Sequence, residues 1–197
     1  MPKIVDHEQY RKDLIAKSFD LFAEKGYAIT MRQIAQGLGV STGTLYHYFP
    51  SKEALFEQLV IQQANQDLLQ VADELKQANT LTERIEAAFL YLEKNQDYFF
   101  KQMMIWMDFS QHQNREGKEC SEVLRQVEEN IYAAIVDLLG IDDPDLLQLI
   151  CALVDGLMIG QIYGTPTSIS RQGKLLAKMV TAYLKEDRSQ ELEDSNH

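Results

Sequence analysis

A chain of 197 residues has room for one compact domain or for a small module joined to a larger one. With 45% hydrophobic and 25% charged residues, ten Gly and four Pro, its composition is that of a globular protein with a core, which excludes collagen-like and disordered chains. The formal net charge of −11, taken whole, argues against a nucleic-acid partner, but it is unevenly placed: residues 1–52 hold seven Lys/Arg against five Asp/Glu, and the remaining 145 hold twelve against twenty-five.

Met1–Arg11 has no basic segment followed by an apolar one, the pattern of a secretory signal, so a cytoplasmic chain is expected. Cys120 and Cys151 lack the spacing of a zinc site or a redox pair and read as small buried hydrophobes; no cofactor is expected. Leu146–Tyr163 approaches membrane-span length, yet Gln148, Asp155 and Gln161 interrupt it, and a buried helix is expected there.

No run alternates with the period of a strand, so the chain reads as all-α. A first helix is expected at His7–Lys25, with Leu14, Ile15, Phe19 and Phe22 on one face and a stop at Gly26. Thr30 and Gln33 make a capping box, and Ile29 and Ile34 stand at hydrophobic-staple positions, so a second helix starts after Thr30. It ends after Leu38, where Gly39 suits a left-handed cap. Ser41 caps a third helix, Val40 and Leu45 repeat the staple spacing, and Pro50 ends it. Ser51 caps a long fourth helix, Lys52 to about Ala78, with Leu55, Phe56, Leu59, Val60, Ala64, Leu68 and Leu75 at its apolar positions.

Two short helices joined by a Gly-containing turn, with another helix before them, form a helix-turn-helix pattern, whose second helix enters the major groove N-terminus first. The leading residues there are Thr42, Gly43 and Thr44: short side chains admit the backbone closely, hydroxyls donate or accept, and Thr methyls can touch a thymine methyl. Tyr46, His47 and Tyr48 follow with donors suited to phosphates, although one of the two tyrosines can instead be partly buried beside Leu45 and Phe49. Lys52 lies in the first turn of the fourth helix, where a cation gains nothing from the helix dipole; a phosphate between it and the helix N-terminus would account for it. Gly39–Gly43 also satisfies G-x-S-x-G, but a nucleophile elbow needs a strand before the serine, and a helix precedes Ser41.

The runs F-A-E-K-G-Y (Phe22–Tyr27), I-A-Q-G-L-G-V-S-T-G-T-L-Y-H-Y-F (Ile34–Phe49) and S-K-E-A-L-F (Ser51–Phe56) are similar to the DNA-binding domain of the TetR family of bacterial transcriptional regulators. The resemblance spans about Tyr10 to Leu59 closely and the rest in outline. It implies DNA contacts at Arg32, Thr42, Gly43, Thr44, Tyr46, His47, Tyr48 and Lys52. It further implies an all-helical homodimer of about nine helices. Residues 1–52 would form an N-terminal three-helix DNA-binding domain and 53–197 a C-terminal effector-binding and dimerisation domain. Such a protein is usually a repressor, released from a near-palindromic operator by a small molecule.

Beyond the fourth helix, one helix is expected from about Leu81 to Lys94 and another from Asp97 to about His112. Tyr98–Phe109 is apolar around nearly its whole circumference and must be enclosed. It is either packing core or, with three Met and the only Trp in one segment, an adaptable cavity wall. The resemblance places an effector pocket among the fourth to eighth helices, which nominates Phe99, Met103, Trp106 and Met107, with Tyr163 as a further candidate, for a lipophilic effector. Asp108 is either a polar anchor for that ligand or a capping or solvent-facing residue.

After a polar loop at His112–Lys118, a helix from about Glu119 to Leu139 is ended by Gly140. Asp142, Asp143 and Asp145 read as helix-start chemistry around Pro144 rather than as a metal site. In the next helix Gly156, Gly160 and Gly164 recur every four residues, and interior Gly costs about 1 kcal/mol relative to Ala, so the stripe calls for a reason. Close helix approach across a dimer axis, a tight contact inside one subunit, or for Gly164 a cap before Pro166 would each supply one. A last helix is expected from about Ser168 to Asp187, followed by a frayed polar tail. The family pairs its last two long helices across a two-fold axis, which places Gly156, Gly160, Leu176, Met179 and Tyr183 at the dimer interface.

An all-helical enzyme would need a convergent acid, base or nucleophile, and four scattered His with Cys120 and Cys151 far apart in sequence offer none. A DNA-binding scaffold without an effector, acting through a protein partner, is the other alternative; it would have a filled interior around Trp106. The favoured reading is a ligand-responsive DNA-binding regulator whose partners are a duplex operator, a second copy of itself and a small molecule.

Overall fold

Local capping chemistry sets most helix ends. The computed structural model describes residues 6–118, 121–164 and 167–194, the last eight by backbone alone. Among the described residues there are nine α-helices and no strand: α1 (His7–Lys25), α2 (Met31–Leu38), α3 (Thr42–Tyr48), α4 (Lys52–Glu74), α5 (Leu81–Lys94), α6 (Gln96–Arg115), α7 (Glu122–Leu139), α8 (Pro144–Gly160) and α9 (Ile169–Asp194). Single 3₁₀ turns prolong α4 over Leu75–Gln77 and α8 over Gln161–Tyr163. Cys120 and Pro166 lie outside the described residues.

Asp6 accepts from the N–H groups of Glu8 and Gln9 at the start of α1, and Asp143 accepts from those of Asp145 and Leu146, with Pro144 in the first turn of α8. Capping boxes open α2 (Thr30 with Gln33) and α5 (Thr80 with Glu83). Gly164 ends the turn after α8 in the left-handed conformation. The expected end of α9 at Asp187 is not observed: no Gly or Pro stands between Asp187 and Asp194, and the helix continues through Asp194.

The chain forms two compact units, Met1–Asp67 with Lys101–Asn130 and Leu68–Phe100 with Ile131–His197, so α4, α6 and α7 each contribute to both. In the first, Phe22, Leu45, Phe49, Leu55, Phe56, Leu59 and Phe109 are fully enclosed. Their rings interlock: Phe22 meets Phe56 edge-on at 5.2 Å between centroids, and Phe56 stacks on Phe109 at 4.5 Å. α6 is not enclosed all round as expected, since Met104 and Met107 are 39% and 41% exposed while Ile105 and Phe109 are buried.

In the second unit α5 and α9 make the tightest approach. A Cβ added at Gly173 would overlap the Cβ and ring of Phe89, whereas one added at Gly156 or Gly160 would meet nothing within 4 Å. The tight contact inside one subunit is therefore at Gly173, a position the every-fourth-residue pattern does not mark. α8 buries Leu146, Leu147, Ile150 and Met158 on one side only. Just 22% of its apolar stretch is buried, so within one chain it is not the enclosed helix expected.

The start of α9 is held by Glu93 of α5, whose carboxylate accepts from the Ser168 hydroxyl at 2.8 Å and the Ser170 N–H at 3.2 Å. Bonds from Ser170 and Ser168 hold the Glu93 carboxyl below its ordinary range. Stability from that contact is present at neutral pH and lost as pH falls through the lowered value. Glu93→Gln is expected to melt below the parent protein at pH 7, with the two converging as pH falls through that lowered value. Gly173→Ala is expected to destabilise the chain by about 1–3 kcal/mol through overpacking against Phe89, measured by denaturant unfolding.

Candidate nucleic-acid interface

α2 and α3 have eight and seven residues, too few to persist alone, and each is fixed at both ends. At the start of α2, the Gln33 N–H donates to Thr30 Oγ1 at 3.3 Å and the Thr30 N–H donates to Gln33 Oε1 at 2.9 Å. At its end Gly39 is left-handed (φ 71°), and the Val40 N–H reaches back to the Ala35 carbonyl at 3.0 Å. Ser41 Oγ accepts the Thr44 N–H at 2.9 Å and lies 2.8 Å from Thr44 Oγ1. Ile34, Leu45 and Phe49 pin the pair into the first unit with no exposed surface.

That leaves an outward face. Arg32, Gly43, Tyr46 and His47 are exposed, with Thr42 and Thr44 half-buried beside them. Tyr48, the tyrosine that turns inward, is half-buried and bonds through its hydroxyl to Nδ1 of His7 at 2.7 Å, while its ring lies 5.5 Å from that of Tyr10. Nothing in local sequence marks this tie to α1, because the partners are 41 residues apart. Lys52, expected on a phosphate, donates in the free chain to the Tyr27 carbonyl at 2.5 Å and lies 4.0 Å from the centre of the Tyr27 ring. Burial lowers the pKa of this lysine, against the opposing pull of Glu116 and Asp108.

Capped, core-anchored helices presenting short polar side chains outward match a known family: residues 14–59 fit the sequence pattern of the bacterial regulatory proteins of the tetR family. Residues 14–59 form a TetR-family DNA-binding domain. Over 94% of its length it is 28% identical to the HTH-type transcriptional regulator BetI of Rhizobium meliloti, and covers 94% of that protein. Its fold is shared by the ketosteroid transcriptional regulator KstR2 of Mycobacterium tuberculosis (TM-score 0.58, 22% identity, 89% of this chain and 94% of that one). It is also shared by FadR of Bacillus subtilis, solved in complex with stearoyl-CoA (TM-score 0.63, 18% identity, 85% and 96%). Proteins with this domain are DNA-binding transcriptional regulators, not enzymes.

The residues nominated for a TetR-type effector do not share one unit. Met103, Trp106 and Met107 belong to the first; Phe99, in ring contact with Tyr91 and Tyr98, belongs to the second, as does Tyr163, which is 79% exposed. Of the residues nominated for dimerisation, Gly156, Met179 and Tyr183 are exposed and Gly160 is half-exposed. Leu176 is 4% exposed and packs inside its own unit, where α9 faces α5, so its side chain is not at a free surface. Asp108, half-buried, accepts the Tyr27 N–H at 2.6 Å.

Proposed function

We propose that this protein is a dimeric cytoplasmic repressor whose α3 helices read a near-palindromic duplex and which a lipophilic small molecule releases. Gly43 is the observation that carries the DNA-reading part. A Cβ built there meets only Ser41 Oγ, at 3.7 Å, so packing within the chain gives no reason for a glycine inside a helix. A base edge or phosphate brought against the backbone does give one. Thr42, Gly43 and Thr44 then meet bases, while Arg32, Tyr46 and His47 fix the backbone and Tyr48 is oriented by His7. Gly43→Ala is expected to stabilise the free protein by up to about 1 kcal/mol, because Ala is the better helix former. The same change is expected to weaken binding to a duplex selected from a random pool by about tenfold or more. Unchanged affinity, read by fluorescence anisotropy, would remove Gly43 from the interface.

α8 supports the dimer. Its uncovered side carries Leu149, 55% exposed, beside Gly156 and Gly160, and α9 offers Met179 and Tyr183 at 57% and 50% exposure. A second copy crossing at the glycines would cover this apolar surface. Because a Cβ at residue 160 is unobstructed within one chain, Gly160→Leu should fold and yet be monomeric by light scattering. A persisting dimer would place the interface elsewhere.

The effector reading rests on two unpaired buried groups of the first unit, the Trp106 indole N–H and Gln63 Oε1. Each costs about 1–3 kcal/mol while unpaired, which a bound molecule with complementary polar atoms would recover. Stearoyl-CoA bound to FadR, and KstR2 as a ketosteroid transcriptional regulator, agree with a largely apolar effector. Such a ligand releases DNA only by binding the wrongly spaced dimer more tightly than the dimer whose α3 helices stand about 34–36 Å apart.

A further inference from the structure

The start of α1 lies against the end of α3 through aromatic side chains. The Tyr48 ring, half-buried, is set among those of His47 at 5.0 Å, Tyr10 at 5.5 Å, His7 at 6.2 Å and Phe49 at 6.4 Å between centroids. One turn on from His7, the Arg11 guanidinium stands 5.8 Å from the centre of the Phe49 ring. Packing thus fixes the plane of Tyr48, and its hydroxyl oxygen lies 2.7 Å from Nδ1 of His7. His7 is exposed. Tyr48 is the last residue of α3, beyond the leading turn that meets base edges, where a contact to a duplex is a contact to its backbone.

A count of hydrogens decides which way the bond between them must run when DNA is present. A phenol has one hydrogen and two lone pairs, and a phosphate oxygen only accepts. If the Tyr48 hydroxyl donates to Nδ1, its one hydrogen is engaged, and a phosphate brought to the same oxygen meets lone pairs. If Nδ1 carries a hydrogen and donates to the Tyr48 oxygen, the phenolic hydrogen is left for the phosphate. In the free chain an imidazole can take either role.

We propose that His7 is a positioning residue for DNA: its Nδ1–H donates to the Tyr48 oxygen and turns the phenolic hydrogen outward, to a phosphate of the duplex backbone. The inference deepens the DNA-reading part of the function proposed above and rests on it. Binding the duplex selects the form of His7 that carries a hydrogen on Nδ1. A phenol that accepts one hydrogen bond is polarised into a better donor, and its bond to an anionic oxygen gains accordingly. α1 thereby sets the direction of a bond that α3 makes, across 41 residues of sequence.

The test uses the full chain and a duplex that it selects from a random pool, with affinity read by fluorescence anisotropy. Tyr48→Phe keeps the ring and removes the hydroxyl, and is expected to weaken binding by about tenfold or more. His7→Leu removes the donor at similar reach and is expected to weaken binding to about the same degree. The two changes together are expected to cost no more than either alone, because each breaks the same contact. His7→Asn places an N–H the same number of bonds from the backbone as Nδ1, and is expected to stay within about twofold of the parent affinity. His7→Ala takes the place of His7→Leu if the leucine variant does not fold. Among duplexes that each carry one methylphosphonate, one replacement is expected to weaken the parent protein and to weaken Tyr48→Phe and His7→Leu distinctly less. Additive losses in the double variant, a His7→Asn as weak as His7→Leu, or an affinity indifferent to Tyr48→Phe would each overturn the proposal and leave the DNA-reading surface standing. A pool that yields no bound duplex would overturn the DNA-reading function itself, and this inference with it.

Discussion

Helices of eight and seven residues cannot hold themselves in water, and the DNA-reading end of this protein is organised around that deficit. Every turn that α2 and α3 lack is replaced by something else: the Thr30–Gln33 box, the left-handed Gly39, the Ser41 cap, and the complete burial of Ile34, Leu45 and Phe49. Because stability comes from the inward face and the ends, the outward face of α3 is relieved of structural duty. It can therefore carry Gly43 and two threonines, poor choices for a helix judged by propensity and good ones for a surface that another molecule must approach closely.

The same unit is closed by an aromatic cluster, Phe22, Tyr27, Phe56 and Phe109, contributed by α1, its following turn, α4 and α6. Aromatic rings bury area without dictating one backbone register, and the polar bonds to Tyr27 supply the register. This gives the charged residues at the junction a physical role that net charge or surface exposure would not assign. Burial raises the Tyr27 phenol pKa, with the Glu53, Glu116 and Glu57 carboxylates adding to the rise, so the ring remains a neutral packing element throughout the physiological range.

In the second unit, apolar character and burial part company. α8 has the composition of an enclosed helix and is largely uncovered within one chain, whereas α9, more polar in sequence, places Leu176, Ala177 and Val180 in the core against α5. Close approach follows the same rule. The glycine that packing requires is Gly173 against Phe89, while the repeated glycines of α8 stand in open space. A pattern of small residues states that a close neighbour is allowed; which neighbour takes the place depends on where the other helices run.

Local chemistry was readable from the chain itself. The helix order, the ends of α1, α2, α3 and α5, the start of α8, the caps that set them and the helix-turn-helix with its likeness to the TetR family are decided by residues one to four positions apart, where capping and periodicity act. What lay beyond reach involves partners far apart in sequence: His7 with Tyr48, Asp108 and Lys52 with Tyr27, Phe89 with Gly173. Lys52 shows the difference best. Its position in the first turn of α4 was legible and pointed to an anion; the tertiary fold also sets the Tyr27 carbonyl against it, because only the packed arrangement of α1, α4 and α6 determines which backbone acceptor lies nearest a cation.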